Sequence, residues 1–165
     1  MGDELKSLVD DPTIGDETIL YRRALWGQIG GRDKVSPGTI PPISKNFFLD
    51  RPAAVAKDYG LAGACMSVGL ASVIHELGLD ARATLRPELL GGQDPSEFGV
   101  LAVKVGDLRQ LQRGDKEPRP QGVMAAPMPR EPWHGVVFDL TDEERATSTR
   151  RAMVKVAYWE IPLLG

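Results

Sequence analysis

Apolar residues recur along this chain with two different periods, and the period changes mark the elements. Residues 18–25, Thr-Ile-Leu-Tyr-Arg-Arg-Ala-Leu, form a short apolar run carrying two arginines and read as a strand. Leu101, Val103 and Val105 alternate within 98–105, which predicts a second strand. Residues 122–126 and 134–140 are two more, separated by prolines at 127, 129 and 132. Met66, Leu70, Val73, Ile74 and Leu77 instead fall on one helical face, with Gly78 where a left-handed cap belongs. Asp50 followed by Pro52 starts a helix over about 51–58 that stops near Gly60. Gly106-Asp107 turns into a short helical piece through Leu111. Thr141 and Glu144 make a capping box before a last helix, on which Ala146, Met153, Val156 and Ala157 share a face. An apolar extended tail, 159–162, follows. This order predicts an α+β fold, with a small mixed or antiparallel sheet and helices packed mainly on one face.

The connections add detail. Residues 1–16 are acidic and turn-rich and read as a loosely held lead-in, leaving 17–165 as a single globular domain. Residues 27–43, with four glycines and three prolines, form a long irregular connection of the kind that is functional or disordered. With 165 residues the chain is long enough to bury about two-thirds of its unfolded surface without a metal or disulfide staple. The net charge of −3 leaves no nucleic-acid footprint, and one cysteine forbids an internal disulfide. No stretch approaches the ~20 apolar residues of a membrane span, and the acidic N-terminus lacks a secretory signal, so a cytoplasmic protein is expected.

Three constellations could carry chemistry. Cys65, at the start of the expected 66–77 helix, would feel the positive end of a helix dipole, which favours the thiolate. His134 begins an apolar strand, and cysteine on a helix start with histidine on a strand is the layout of papain-like and transglutaminase-like cysteine enzymes. Residues 63–83 resemble the transglutaminase-like pattern of glycine, any residue, cysteine, then a helix ending in leucine-glycine. In that reading Cys65 is nucleophile, His134 base and Glu160 the orienting carboxylate. Asp139, five residues from His134 on one strand, points to the opposite face. Second, Arg22 or Arg23 on an early strand with Ser44 on the next segment resembles the NAD-clamping layout of ADP-ribosyltransferases, although neither Glu97 nor Glu160 stands in the paired motif those enzymes use. Third, Trp26, Phe47 and Trp133 lie in loops where exposed aromatics would anchor a partner.

Read end to end, the layout resembles a family of small bacterial proteins without an assigned activity. Its Leu-x-Arg-Arg, Ser-x-x-Phe, Ser-Val and Pro-x-x-x-Pro-x-His segments correspond to Leu20–Arg23, Ser44–Phe47, Ser67-Val68 and the run ending at His134. The resemblance implies that Arg22 or Arg23, Ser44 and His134 are the polar positions of interest, and that a cysteine at 65 is not usual. No Gly-x-Gly-x-x-Gly, phosphate loop or Gly-x-Ser-x-Gly occurs. The expectation is a module that binds a protein partner or ligand through its proline-rich loops, using Arg22, Arg23, Ser44, Phe47, Trp133 and His134. No cofactor, nucleic acid or membrane is expected. The cysteine hydrolase and the NAD-dependent transferase are the alternatives.

Overall fold

Residues 4–141 and 145–165 are described by a computed structural model of the chain. Six strands, β1 (Ile19–Leu25), β2 (Met66–Leu70), β3 (Phe98–Lys104), β4 (Gln121–Ala125), β5 (His134–Asp139) and β6 (Tyr158–Ile161), build one sheet. Its order is β4-β5-β2-β1-β3-β6 and every pairing is antiparallel, giving the α+β class. The helices are short: α1 (Ala53–Ala56), α2 (Ala71–Glu76), α3 (Val105–Arg109) and α4 (Thr147–Val156). None of them is long and apolar enough to cross a membrane.

Strand alternation sorts the core onto two faces. Leu20, Ala24, Met66, Val68, Leu101 and Val137 point to one, where they meet Phe47 and Phe48 of the 45–48 turn, Leu108 of α3 and Met153 of α4. Thr149, Ala152 and Met153 are the buried positions of α4, an inward stripe at helical spacing. Tyr21, Val100 and Ala102 point to the other face and pack on Ile74 of α2 and on Trp133, while Cys65, Met124, Val136 and Phe138 continue that layer towards β4.

The 66–77 segment departs from the expected single helix. Met66, Val68 and Leu70 alternate as well as they spiral, and over five residues the two periods are not distinguished. Pairing with β5 from Met66↔Val137 to Gly69↔His134 decides for strand, helped by Gly69, a poor helix former. Only Ala71–Glu76 is helical, closed by Gly78 at φ 72°. The last helix starts at Thr147 rather than beside Thr141, whose hydroxyl and N–H both donate to Asp139. Glu144, the other half of the expected capping box, lies outside the described residues.

The N-terminal segment is hydrogen-bonded to the body of the domain from Lys6, whose N–H donates to the Gly60 carbonyl at 2.7 Å. Asp11 N–H donates to the Val123 carbonyl and Val123 N–H to Asp10 Oδ1, at 2.9 and 2.8 Å. Arg109 reaches back to Asp10, Asp16 and the carbonyls of Asp11 and Ile14. Residues 27–43 are pinned at their far end: Gly38 N–H donates to the Gly165 carbonyl and Gly165 N–H to that of Thr39.

One irregularity positions everything that follows. β1 pairs with β3 along its whole length, from Ile19↔Lys104 to Leu25↔Phe98, but with β2 only at Leu20↔Leu70 and Tyr21↔Gly69. Beyond Tyr21 the two central strands part. The vacated edge of β2 is taken up by Arg51, whose N–H donates to the Cys65 carbonyl at 2.7 Å while Cys65 N–H donates back at 3.2 Å.

Candidate functional site

The parting of β1 from β2 opens a cleft in the middle of the sheet, bordered by Tyr21, Arg22, Arg23, Ser67–Gly69, Thr84, Glu131, Trp133 and His134. It is narrow and partly open to solvent, about 300 Å³ in all with the solvent at its mouth included. That suits a small head group rather than a whole buried metabolite. Gly69 keeps the cleft floor low. A Cβ there would meet Trp133 Cδ1 at 3.1 Å and Ile74 and Thr84 at 3.4 Å. The wall is the proline-rich loop between β4 and β5, folded back by paired hydrogen bonds between Met128 and Glu131 at 3.1 and 3.0 Å.

His134 leads out of that loop onto β5. Its Nδ1 lies 2.8 Å from the Ala126 carbonyl oxygen, which can only accept, so Nδ1 carries the proton and the neutral ring presents Nε2 as a lone pair. Nε2 has no partner among the described residues. Burial holds the His134 pKa below the ordinary histidine value, against the Ala126 hydrogen bond and the nearby Glu131 charge, which favour the charged form. Ser67, two residues from His134's partner Gly69 and on the same face of the sheet, is half-buried, and its hydroxyl makes no hydrogen bond among the described residues. Sequence reasoning noted Ser67 only as part of the Ser-Val segment. An open hydroxyl on a strand carries no local signal of its own.

The two arginines sit on opposite faces, as alternation requires, yet both border the cleft because it runs through the sheet. Arg22 lies deep. Its Nε donates to the Phe47 carbonyl at 3.0 Å and its Nη1 to that of Ser67 at 2.8 Å, stitching the parted strands together. Desolvation, with Arg23, Arg145 and Arg51 nearby, pushes its pKa down to about 10. Arg23 is half-open and loosely held: Nη1 is 3.2 and 3.5 Å from the Thr84 and Leu89 carbonyls and 3.5 Å from Glu131 Oε1.

Several expected placements are corrected. Phe47 and Trp133 are 0% and 2% exposed and Trp26 is buried, so none is a surface anchor for a partner. Cys65 precedes a strand, not a helix, so no dipole acts on it, and burial raises its thiol pKa. Continuing the β2–β5 register sets Cys65 level with Phe138, four residues along the strand from His134, which is about 13 Å at 3.3 Å per residue. Glu160 stands on the edge strand β6, four strand spacings from β5, roughly 19 Å away. The three residues of the cysteine-enzyme reading therefore do not meet. Asp139 faces away from His134 and bonds Gln121 and Thr141 instead. Ser44 caps the 45–48 turn by accepting from Asn46 N–H at 3.1 Å. Arg22 reaches that same turn at Phe47, so the two residues of the NAD-clamp reading are neighbours, each occupied by backbone. Glu97 pairs with Arg32.

The class this defines is an antiparallel α+β domain whose sheet parts at its centre around arginine, serine and histidine. No family model matches the chain, and neither a curated protein nor a solved structure does. Among the described residues no group of three or more His, Cys, Asp or Glu stands where it could hold a metal ion.

Proposed function

We propose that this chain is a ligand-binding module that takes the polar head group of a small molecule into the β1/β2 cleft, with the loop carrying Glu131 and Trp133 as its wall. The observation that carries this reading is that Ser67 and His134, whose Oγ and Nε2 have no hydrogen-bond partner among the described residues, both border one cleft within an otherwise packed sheet. Neither atom is engaged by the fold, so both are free to bond a ligand that enters the cleft. His134 accepts from a donor on the ligand, since its tautomer is fixed by the Ala126 carbonyl. Ser67 donates or accepts as required. Trp133 also borders an open groove lined by Leu77, Leu79, Arg86 and Arg130, which gives the body of a larger ligand a way out.

The proline-rich loop thus contributes through its interior face rather than through exposed aromatics, and the favoured occupant is a small molecule rather than a protein. The test is a fragment screen by ligand-observed NMR, repeated on Ser67→Leu, whose side chain fills the cleft. Hits lost in a variant that keeps its circular dichroism support the reading. Hits that survive unchanged, or a screen without hits, overturn it.

A further inference from the structure

The cleft is unusual in its charge. Arg22 has no carboxylate partner among the described residues. Both acceptors of its guanidinium are neutral carbonyls, and its Nη2 makes no hydrogen bond among the described residues. Its surroundings add Arg23, Arg51 and Arg145, against which Asp50 is the acidic group close enough to act on it. A half-buried guanidinium that meets only neutral acceptors keeps its charge free to attract an anion. Arg23, at the mouth, has partners, but all lie at 3.2–3.5 Å. Charge-assisted bonds from arginine to an oxyanion settle nearer 2.7–2.9 Å and are commonly two-pronged. Arg23 is thus held in place without being satisfied.

Glu131 is the carboxylate that stands in. Its side chain is mostly buried, bordering the cleft from the loop and approaching Arg23 no closer than 3.5 Å. The loop does not depend on that contact: Glu131 is fixed through its backbone, by the two bonds to Met128 and by its carbonyl accepting from His134 N–H at 2.9 Å. Its carboxylate can therefore swing aside while the loop keeps its shape.

We propose that the head group taken by this cleft is an oxyanion, carboxylate or phosphate, bound by Arg22 and Arg23 in competition with the Glu131 carboxylate, and bearing a hydroxyl that donates to His134. This rests on the ligand reading above and names the ligand's chemistry. The hydroxyl requirement follows from the tautomer, because a bare oxyanion against the Nε2 lone pair is repelled. Glu131 then acts as a built-in competitor that keeps the arginines paired when no ligand is bound.

The experiment uses calorimetric titration of the full chain with inorganic phosphate and with glycolate, each an oxyanion beside a hydroxyl, and with acetate as the carboxylate lacking one. Glu131→Gln removes the competitor and is expected to tighten phosphate or glycolate several-fold, and whichever of the two gains more identifies the head group. Arg23→Met is expected to weaken the same probe by about ten- to a hundredfold, the range for a charge-assisted hydrogen bond. Acetate is expected to bind more weakly than glycolate to every variant. Binding unaffected by Arg23→Met marks an adventitious surface anion and overturns the proposal. Weaker binding in Glu131→Gln also overturns it, since Glu131 would then be a ligand contact. If neither probe binds while fragments still depend on Ser67, the oxyanion assignment fails and the ligand reading stands. If fragments show no dependence on Ser67 either, both fail.

Discussion

Asp50 and Arg145 make the sharpest quantitative test of how this domain is held together. Their side chains are 1% and 0% exposed. Arg145 Nη1 bonds Asp50 Oδ1, and the backbone N–H of Arg145 donates to Asp50 Oδ2 at 2.8 Å. Arg145 Nε donates to Gln121 Oε1 at 2.7 Å, and Gln121 in turn donates to Asp139. The network fastens the segment before α4 to the segment before α1 and to the β4–β5 edge. Burial pulls the Arg145 pKa below its ordinary value while Asp50 and Asp139 hold it up, so the pair opposes a desolvation cost as much as it adds attraction.

Removing one partner leaves the other charge buried and uncompensated, a loss of about 3–5 kcal/mol. Asp50→Asn keeps the shape and removes the charge. Arg145→Met keeps most of the volume and strands Asp50. For a chain of this size each kcal/mol moves the midpoint by roughly 2–4 °C, so either single variant is expected to melt roughly 6–20 °C lower. The double variant removes both charges and is expected to recover a large part of that loss, giving a coupling energy well outside additivity. Urea unfolding of the four proteins at matched slope measures it. A single-variant loss below about 1 kcal/mol, or strict additivity, refutes the reasoning, because either means the pair is hydrated in solution.

Two further outcomes are expected. His134 has a folded pKa below its unfolded value, so its contribution to stability is fully present above about pH 6.5 and is lost as pH falls through the lower folded value. Glu131 favours the charged ring, while Arg51 and Arg23 oppose it. Denaturation midpoints of the wild type are therefore expected to fall more steeply than those of His134→Gln across the mildly acidic range, and parallel slopes contradict the burial of the ring. Cys65, with 0% exposure and a raised pKa, is expected to react with iodoacetamide only as fast as the chain opens, so that labelling follows urea concentration. Rapid labelling of the native protein, with an inflection below about pH 8.5, returns Cys65 to the list of candidate nucleophiles.

How much of this was legible in the sequence differs by element, for physical reasons. β1, β3, β4 and β5 were readable because alternation or an apolar run persisted between clear breaks, and the tail that forms β6 read only as extended. The α+β class followed from their order. β2 was not, because five residues with apolar groups at 66, 68 and 70 satisfy both periods until a neighbouring strand chooses. That one misreading placed Cys65 on a helix it does not start, and the cysteine-enzyme reading depended on that placement. Phe47 and Trp133 misled differently. Loop position suggested exposure, but both rings are packed into the core, and loop position alone does not tell a buried ring from an exposed one. Of the candidate cleft, Arg22, Arg23, Trp133 and His134 were named from sequence. Ser67 and Glu131 were missed as site residues, because what distinguishes them is the absence or weakness of a partner, which only the fold reveals.

The parted strands explain why the charged residues of β1 are tolerated at all. An arginine in the middle of a fully paired central strand, pointing into a packed layer, would carry a desolvation cost with no carbonyls free to meet it. Here the ladder between β1 and β2 stops after Tyr21, and the carbonyl of Ser67 turns to Arg22 instead of to a strand partner. The guanidinium thereby replaces part of the hydrogen bonding that the seam gave up. Replacing Arg22 by an apolar residue would leave two orphaned carbonyls, while closing the seam by full pairing would expel both arginines from the cleft. Opening and arginines therefore require each other, and that interdependence makes the seam, rather than the surface loops, the place where this fold departs from a plain antiparallel sheet.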